Sequence, residues 1–216
     1  MTEKKVLRCI HRHTIETHPN CFRKGLIKRD DWWHNKRIAY LDIEATDLDA
    51  NWGFMLSWCL KYQNDNKVRR GIITKKEIFN YKFDKRIIAE LLKELENVDI
   101  LVTYYGTKFD ITFIRTRALY YGMDDEFPAY GEMYHWDLYY KVRNKFNLHS
   151  NKLAVACEFL GIKGKTPLTP EMIFLARYGE SKALKKILEH NIGDVVILEE
   201  LHNRLWRHAK WIRKSI

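Results

Sequence analysis

The sequence lacks any long hydrophobic run, and this absence narrows the classes of protein it can encode. No stretch of about 18 consecutive apolar residues occurs in its 216 positions, so no membrane-spanning helix is predicted. Residues 1–5 (MTEKK) lack the apolar segment of a secretory leader, and there are only four cysteines. We therefore expect free thiols and a cytoplasmic location, which is the host cytoplasm if the source is viral. The sequence also contains no internal repeat and no low-complexity segment.

The sequence does carry an unevenly placed excess of positive charge. Its net charge is +10, with 46% hydrophobic and 31% charged residues, as in a soluble globular protein. Residues 1–36 hold nine basic and four acidic side chains, 204–216 hold five basic and no acidic ones, and 37–203 are neutral. Basic ends on a neutral body favour a polyanionic partner, most simply nucleic acid. The alternative is that this charge only promotes solubility.

The first basic segment also contains residues that bind metals in other proteins. They are Cys9, His11, His13, His18, Cys21 and His34. Two cysteines and several histidines could hold Zn²⁺, but their spacing matches no familiar zinc finger. We therefore interpret 1–36 as a basic N-terminal arm, with a zinc site as the alternative. Residues 37–206 are the main domain and 207–216 a basic C-terminal tail.

Hydrophobic periodicity in the main domain predicts an α/β fold. Strands separated by short turns are expected at 37–46, 54–62 and 68–74, which gives an antiparallel meander. An amphipathic helix at 84–96 precedes a buried strand at 99–104, and this alternation implies a parallel partner in the sheet. Further elements are predicted as a strand at 133–138 and helices at 110–121, 139–145, 152–160, after 170, and 181–206.

The first predicted strand contains two acids near its carboxyl end. Side chains alternate between the faces of a strand, so Asp42 and Glu44 share one face with Tyr40. Two buried carboxylates on one face repel each other, and a divalent cation relieves that repulsion. The alternative is a strand that ends at Leu41, with both acids in a solvated loop.

Two further acids are candidates for the same site. Asp110 follows the strand that we expect beside the first one, although an aspartate there could simply cap a helix. Asp194 lies on the apolar stripe of the last helix, where an unpaired aspartate is rare. His190 is one helical turn before it, so a structural His–Asp pair or a half-exposed helix is the alternative. Four such carboxylates could hold two divalent ions, which catalyse in-line displacement at phosphorus.

Three motifs carry a resemblance to a known family. They read LDIEAT at 41–46, YGTKFDI at 105–111 and HNIGDV at 190–195. In order, spacing and structural context, they resemble the DEDD (DnaQ-like) 3′–5′ exonucleases of the ribonuclease-H-like superfamily, over about 37–205. The sequence looks closest to a branch of stand-alone exonuclease-like proteins of phages and prokaryotes. The resemblance implies a ribonuclease-H-like mixed sheet, an antiparallel meander plus parallel strands, with helices on both faces.

The resemblance also implies a role for each acid. Asp42 would bridge two Mg²⁺ or Mn²⁺ ions, and Glu44 would bind one ion and orient the attacking water. Asp194 would bind the same ion as Glu44, and Asp110 would hold the second. His190 matches the position of the general base. Asp137 resembles an additional acid often found near such sites, with a capped strand end as the alternative.

Two positions depart from the family pattern. Tyr105 stands where the family commonly has Asn, at a position that contacts the terminal nucleotide in the family. His190 stands at the spacing that one branch fills with Tyr. The residues expected to contact nucleic acid are Tyr105, Lys108, Phe109, Arg207, Lys210, Arg213 and Lys214.

We therefore expect a two-metal 3′–5′ exonuclease acting on DNA or RNA, at single strands or at the 3′ ends of duplexes. A polymerase or another replication protein is a further expected partner, and no membrane is. Two alternatives stay open. One is a binding module on a degenerate exonuclease fold, and the other is an endonuclease or resolvase of the same superfamily.

Overall fold

The computed structural model describes residues 13–17, 19–23, 33, 36–164, 166–208 and 215–216. The chain divides into two units, 1–36 and 37–216. In the first unit, helix α1 (Pro19–Arg23) buries Cys21, and His13 is exposed. The other proposed zinc ligands, Cys9, His11, His18 and His34, lie outside the described residues, so the zinc alternative stays a prediction.

The second unit is built on a five-stranded mixed sheet, as the sequence predicts. Its strands are β1 (Ile38–Ala45), β2 (Met55–Tyr62), β3 (Val68–Ile72), β4 (Ile100–Thr103) and β5 (Tyr134–Asp137). Their order across the sheet is β3-β2-β1-β4-β5. β1, β2 and β3 form the expected antiparallel meander, while β1, β4 and β5 run parallel. The central position of β1 places its carboxyl end in the middle of the sheet edge.

Besides one 3₁₀ turn (Asp124–Glu126), seven α-helices in the described part of the second unit connect or cover the strands. They are α2 (Lys75–Phe79), α3 (Lys85–Leu95), α4 (Asp110–Tyr120), α5 (Leu138–Lys145), α6 (Leu153–Phe159), α7 (Pro170–Arg177) and α8 (Ser181–Leu205). Their bounds agree with the predicted helices to within about two residues, but α2 was not predicted. Thr74 and Glu77 form a capping box at its start, which ends the third strand at Ile72 rather than at Thr74. No helix of the described chain is long and apolar enough to cross a membrane.

Helices pack on both faces of the sheet. On one face, Leu41 and Ile43 of β1 join a buried core with Ile88 and Leu91 of α3. On the other face, the hydroxyl of Tyr40 lies 2.7 Å from Nδ1 of His202 on α8. Since Asp42 and Glu44 follow Tyr40 at intervals of two, the packing side of α8 and the two acids share this face.

A buried ionic network joins the helices to the sheet on the α3 face. Asp84 is fully buried and receives hydrogen bonds from Arg117 (Nη2, 2.6 Å), from the hydroxyl of Tyr121 (2.6 Å) and from the backbone amide of Met55 (2.8 Å). One carboxylate therefore connects the residue before α3, the end of α4 and the start of β2. Sequence reasoning included Asp84 in the helix and did not predict this network.

Candidate active site

The carboxyl end of β1 is the centre of the site. In the antiparallel pairing with β2, Asp42 lies opposite Cys59 and Glu44 lies opposite Ser57. The register shifts between Glu44 and Ala45, a bulge-type irregularity of the kind that re-aims a side chain next to an active site. β1 therefore continues through both acids, and the alternative that it ends at Leu41 is wrong.

Asp110 is joined to this strand through the backbone. β4 pairs with β1 only as far as Tyr40 and ends at Thr103, so the amide of Ile43 has no strand partner on that side. Oδ1 of Asp110 accepts a hydrogen bond from this amide at 3.1 Å. A carboxylate at the start of α4 is thereby fixed between Asp42 and Glu44 along β1.

Burial and neighbouring charge act together on Asp110. Its side chain is 3% exposed. Burial raises the pKa of Asp110 to about 7, the hydrogen bond from Ile43 opposes this shift, and the charges of Asp137 and Asp194 add to it. The carboxylates therefore interact electrostatically, as expected of acids that share one site.

The loop before Asp110 is held by a tight turn and by Asp137. A Cβ added to Gly106 would lie 2.2 Å from Oγ1 of Thr103, so only glycine fits this turn. Asp137 accepts hydrogen bonds from the amides of Tyr105 (2.8 Å) and Thr107 (3.1 Å) and caps α5. Both of its oxygens are engaged with backbone, which makes Asp137 a support of the loop as well as a nearby negative charge.

On α8, a single imidazole connects two of the acids. Nε2 of His190 lies 3.4 Å from Oε1 of Glu44 and 3.6 Å from Oδ2 of Asp194. His190 is 6% exposed and Asp194 4% exposed, so both side chains face the sheet as the apolar stripe predicts. Both residues are therefore part of the same cluster as the acids of β1.

The other nitrogen of His190 has a partner that sequence reasoning missed. Nδ1 lies 3.0 Å from Oγ1 of Thr166, in the loop between α6 and α7. That loop comes close to α8 at Gly193, where an added Cβ would lie 3.3 Å from the carbonyl oxygen of Gly164. The glycine immediately before Asp194 could have indicated this close approach, but nothing in the sequence identifies Thr166.

Several other polar side chains near the acids were not predicted. Burial, and then the negative charge of Asp42, raise the pKa of Cys59, so its thiol stays protonated. Oγ of Ser57 and the side-chain amide of Asn191 are buried without a hydrogen-bond partner in the described chain. Buried polar groups of this kind are normally satisfied by water or a bound ion.

Arg70 is a further residue that the sequence gave no reason to select. It lies opposite Cys59, which in turn lies opposite Asp42, so the three side chains form a row on one face of the sheet. Arg70 is exposed, and its guanidinium forms no ion pair with any acid of the described residues. Two strand spacings, roughly 10 Å, separate it from Asp42.

The residues predicted to contact nucleic acid differ in accessibility. Tyr105 is 44% exposed, and Lys108 and Arg207 are also exposed. Phe109 is half-buried and packs against the core, with its ring centroid 5.7 Å from that of Phe113. Lys210, Arg213 and Lys214 lie outside the described residues.

The donor chemistry of the cluster suits a hard cation. Carboxylate oxygens are the ligands that Mg²⁺ and Mn²⁺ prefer. Of the buried polar groups without a partner among the described residues, Ser57 lies opposite Glu44 on the neighbouring strand and Asn191 lies on the helix that carries Asp194. In the described part of the chain, no three Asp, Glu, His or Cys side chains form a ready-made metal cage. The residue types therefore fit a divalent ion, although the described residues are not arranged as a ready-made cage.

Comparisons with known proteins agree with this fold. The family model described as the RNase_H superfamily matches residues 39–206, so the chain belongs to the RNase_H superfamily. Among curated proteins, none matches the sequence.

A solved structure with a similar fold is the family B DNA polymerase from the hyperthermophilic archaeon Pyrobaculum calidifontis, with a TM-score of 0.62 and 19% identity. The match covers 79% of this chain and 24% of the polymerase chain. This chain thus corresponds to about a quarter of that polymerase, and the likeness shows the fold alone.

Proposed function

We propose that this protein is a metal-dependent 3′–5′ exonuclease of the DEDD type. The observation that carries the proposal is the convergence of separate elements at the carboxyl end of β1. Asp110 bonds to Ile43, and His190 lies within 4 Å of both Glu44 and Asp194. Membership of the RNase_H superfamily supports a nuclease, and the basic ends support a nucleic-acid substrate.

Asp42, Glu44, Asp110 and Asp194 would hold two Mg²⁺ or Mn²⁺ ions. When bound, such ions activate water and stabilise the leaving oxygen at phosphorus. The carboxylates supply oxygen ligands and neutralise the ions, and Asp110 is positioned for this by its bond to the backbone of β1. Since burial and like charge raise the pKa of Asp110, divalent cations are expected to favour its ionised form.

His190 would accept the proton of the attacking water. Its Nε2 faces Glu44, the acid expected to orient that water. When Nε2 accepts a proton, Nδ1 carries a hydrogen and donates it to Oγ1 of Thr166. Thr166 therefore fixes the ring orientation that the general base requires, and its hydroxyl can accept the hydrogen of Nδ1.

Arg70 would attract the phosphates of the substrate. It shares the face of Asp42 and is available because no acid of the described chain pairs with it. The adjacent Arg69 points to the opposite face, where it pairs with Glu94 at 3.2 Å and stacks on Tyr62. Arg69 is thus a matched control for Arg70, with the same charge on the same strand.

Product analysis tests the proposal. Single-stranded and duplex DNA and RNA, labelled at the 5′ end, are incubated with Mg²⁺, Mn²⁺ or EDTA. We expect a ladder of products that shortens one nucleotide at a time from the 3′ end and is absent in EDTA. Internal cuts would indicate an endonuclease, and a shift in mobility without any cutting would indicate a binding module.

The substitution Asp42→Asn is the active-site control for this assay. It keeps the size of the side chain and removes one negative charge, so we expect a folded protein without hydrolysis. Equal turnover in this variant and the wild type would contradict the proposal. Arg70→Gln is expected to raise KM several-fold, while Arg69→Gln leaves KM unchanged.

A further inference from the structure

Next to the loop that leads into Asp110 is a cleft lined by aromatic rings. Its volume is about 370 Å³, and its lining includes Tyr104, Tyr105, Tyr139, Asn151 and Lys152. A volume of this size is typical of sites that bind small organic groups. The cleft lies outside the acid cluster and is connected to it through the loop 105–110.

The rings of the cleft are arranged around Tyr139. The ring centroid of Tyr105 is 4.7 Å from that of Tyr139, and the centroid of Tyr104 is 6.0 Å from it, both edge-on. The hydroxyl of Tyr104 donates to the carbonyl oxygen of Asn151 at 2.5 Å, which fixes the opposite wall. Edge-on packing leaves the face of at least one ring open to a further planar group.

The backbone holds Tyr105 in this exposed position at a conformational cost. Its φ is +69°, in a region of backbone conformation that residues other than glycine rarely adopt. Oδ1 of Asp137 accepts hydrogen bonds from the amides of both Tyr105 (2.8 Å) and Tyr139 (3.1 Å). One carboxylate therefore positions both tyrosines, and the 44% exposure of Tyr105 is imposed by the fold rather than by a loose loop.

We propose that this cleft binds an unpaired nucleobase of a single-stranded substrate, stacked on the ring of Tyr105 and bounded by the ring of Tyr139. This inference rests on the proposed function, since it names the substrate class of the same site. Aromatic faces bind any base by stacking, and the exposed Lys152 at the cleft complements the phosphate backbone. A base in a duplex is already stacked and paired, so the cleft selects for single strands. The role of Asp137 is then to position the stacking residues.

Equilibrium binding in EDTA tests the cleft without hydrolysis. Fluorescence anisotropy is measured with a labelled single-stranded oligonucleotide, with the same length of duplex, and with an abasic strand of equal charge. Tyr105→Ala and Tyr139→Ala are each expected to weaken single-strand binding about tenfold and to leave duplex binding within about twofold. The wild type is expected to bind the abasic strand about as weakly as these variants bind the normal strand.

Two control variants separate stacking from general surface effects. Tyr105→Phe keeps an aromatic face, and Tyr130→Ala removes a tyrosine that is 88% exposed elsewhere. Both are expected to bind single strands like the wild type. The proposal is overturned if the wild type binds abasic and normal strands equally, or if Tyr105→Ala, a change on the surface, leaves binding unchanged. The protein could bind single strands preferentially through Tyr105 and yet hydrolyse nothing. That result would support base binding in the cleft and overturn the proposed exonuclease activity.

Discussion

Oδ1 of Asp110 accepts a hydrogen bond from the amide of Ile43, the residue between the two acids of β1. This bond forms because β4 ends before β1 does and leaves that amide without a strand partner. A buried carboxylate is thereby held among other acids. In the proposed mechanism cations would offset the repulsion among these acids, and without cations the arrangement is costly.

Ionising the buried carboxylate of Asp110 costs free energy in the folded protein. We therefore expect the stability of the wild type in EDTA to depend on pH. The pKa of Asp110 is raised from 3.8 to about 7 by burial, with a contribution from Asp137 and Asp194. Between these values the unfolded chain releases the proton and the folded chain keeps it, so stability falls as the pH rises from about 4 to 7.

Asp110→Asn removes this titration and still accepts the hydrogen bond from Ile43. We therefore expect it to be more stable than the wild type by on the order of 2 kcal/mol at pH 8, and by little at pH 4.5. Thermal unfolding in EDTA at both pH values measures the difference. Burial lowers the pKa of His202 to about 3, so the titration of His202 makes stability rise with pH. This contribution is the same in the wild type and in Asp110→Asn. A constant gap between the two proteins would contradict this account of Asp110.

The contact between Thr166 and His190 predicts graded effects on turnover. His190→Ala removes the proposed base and should lower kcat by roughly 10²-fold or more. Thr166→Val removes only the hydrogen bond to Nδ1, so a smaller loss, roughly threefold to tenfold, is expected with little change in KM. Steady-state kinetics with saturating Mg²⁺ provide both values. If His190→Ala kept its kcat and lost only stability, the imidazole would have a structural role.

The sequence was sufficient to predict much of the fold and the positions of the acids. Alternation along β1 placed Asp42 and Glu44 on one face, and the apolar stripe of α8 placed Asp194 and His190 toward the sheet. These patterns are local, so a single segment reveals them. Asp110 required the further inference that β4 lies beside β1, which the strand–helix–strand order supports.

Other parts of the site depend on contacts between distant segments. Thr166 reaches His190 from 24 residues away, and Arg70 joins the row of Asp42 only through the register of two strand pairs. Asp137 was ambiguous in the sequence because one carboxylate can both cap a helix and lie near a metal site. Register and loop packing follow from the complete fold, and no short pattern encodes them.

The network of Asp84 predicts a loss of stability without a loss of chemistry. Arg117→Met leaves the carboxylate of Asp84 buried without its charged partner, which should cost roughly 3–5 kcal/mol. The network includes none of the acids of the candidate site, so kcat per folded molecule should be unchanged. The double variant Asp84→Leu with Arg117→Met is expected to recover part of the stability. Denaturant unfolding measures the free energy of unfolding of the single and the double variant. A double variant as unstable as the single one would contradict this reasoning.

The C-terminal charges are expected to contribute affinity rather than catalysis. The structure argues against deleting 207–216, because Ser215 forms a bridge with Tyr134 and its hydroxyl donates to the carbonyl of Met133 at 3.1 Å. Replacing Arg207, Lys210, Arg213 and Lys214 by Gln keeps that contact. We expect weaker binding and a shallower dependence of log Kd on log salt concentration, with kcat unchanged. An unchanged slope would show that these four charges do not contact the substrate.

Phosphorothioate substitution at the terminal linkage tests the central claim, catalysis by cations held among these acids, most directly. Sulfur in place of a non-bridging oxygen weakens contact with Mg²⁺, a hard cation, more than contact with the softer Mn²⁺. The rate of the first cleavage is measured for oxygen and sulfur substrates with each cation, using the wild type and Asp42→Asn. We expect a large thio effect in Mg²⁺, rescue by Mn²⁺, and no cleavage in Asp42→Asn. Cleavage in EDTA, or equal rates with Asp42→Asn, would contradict the account.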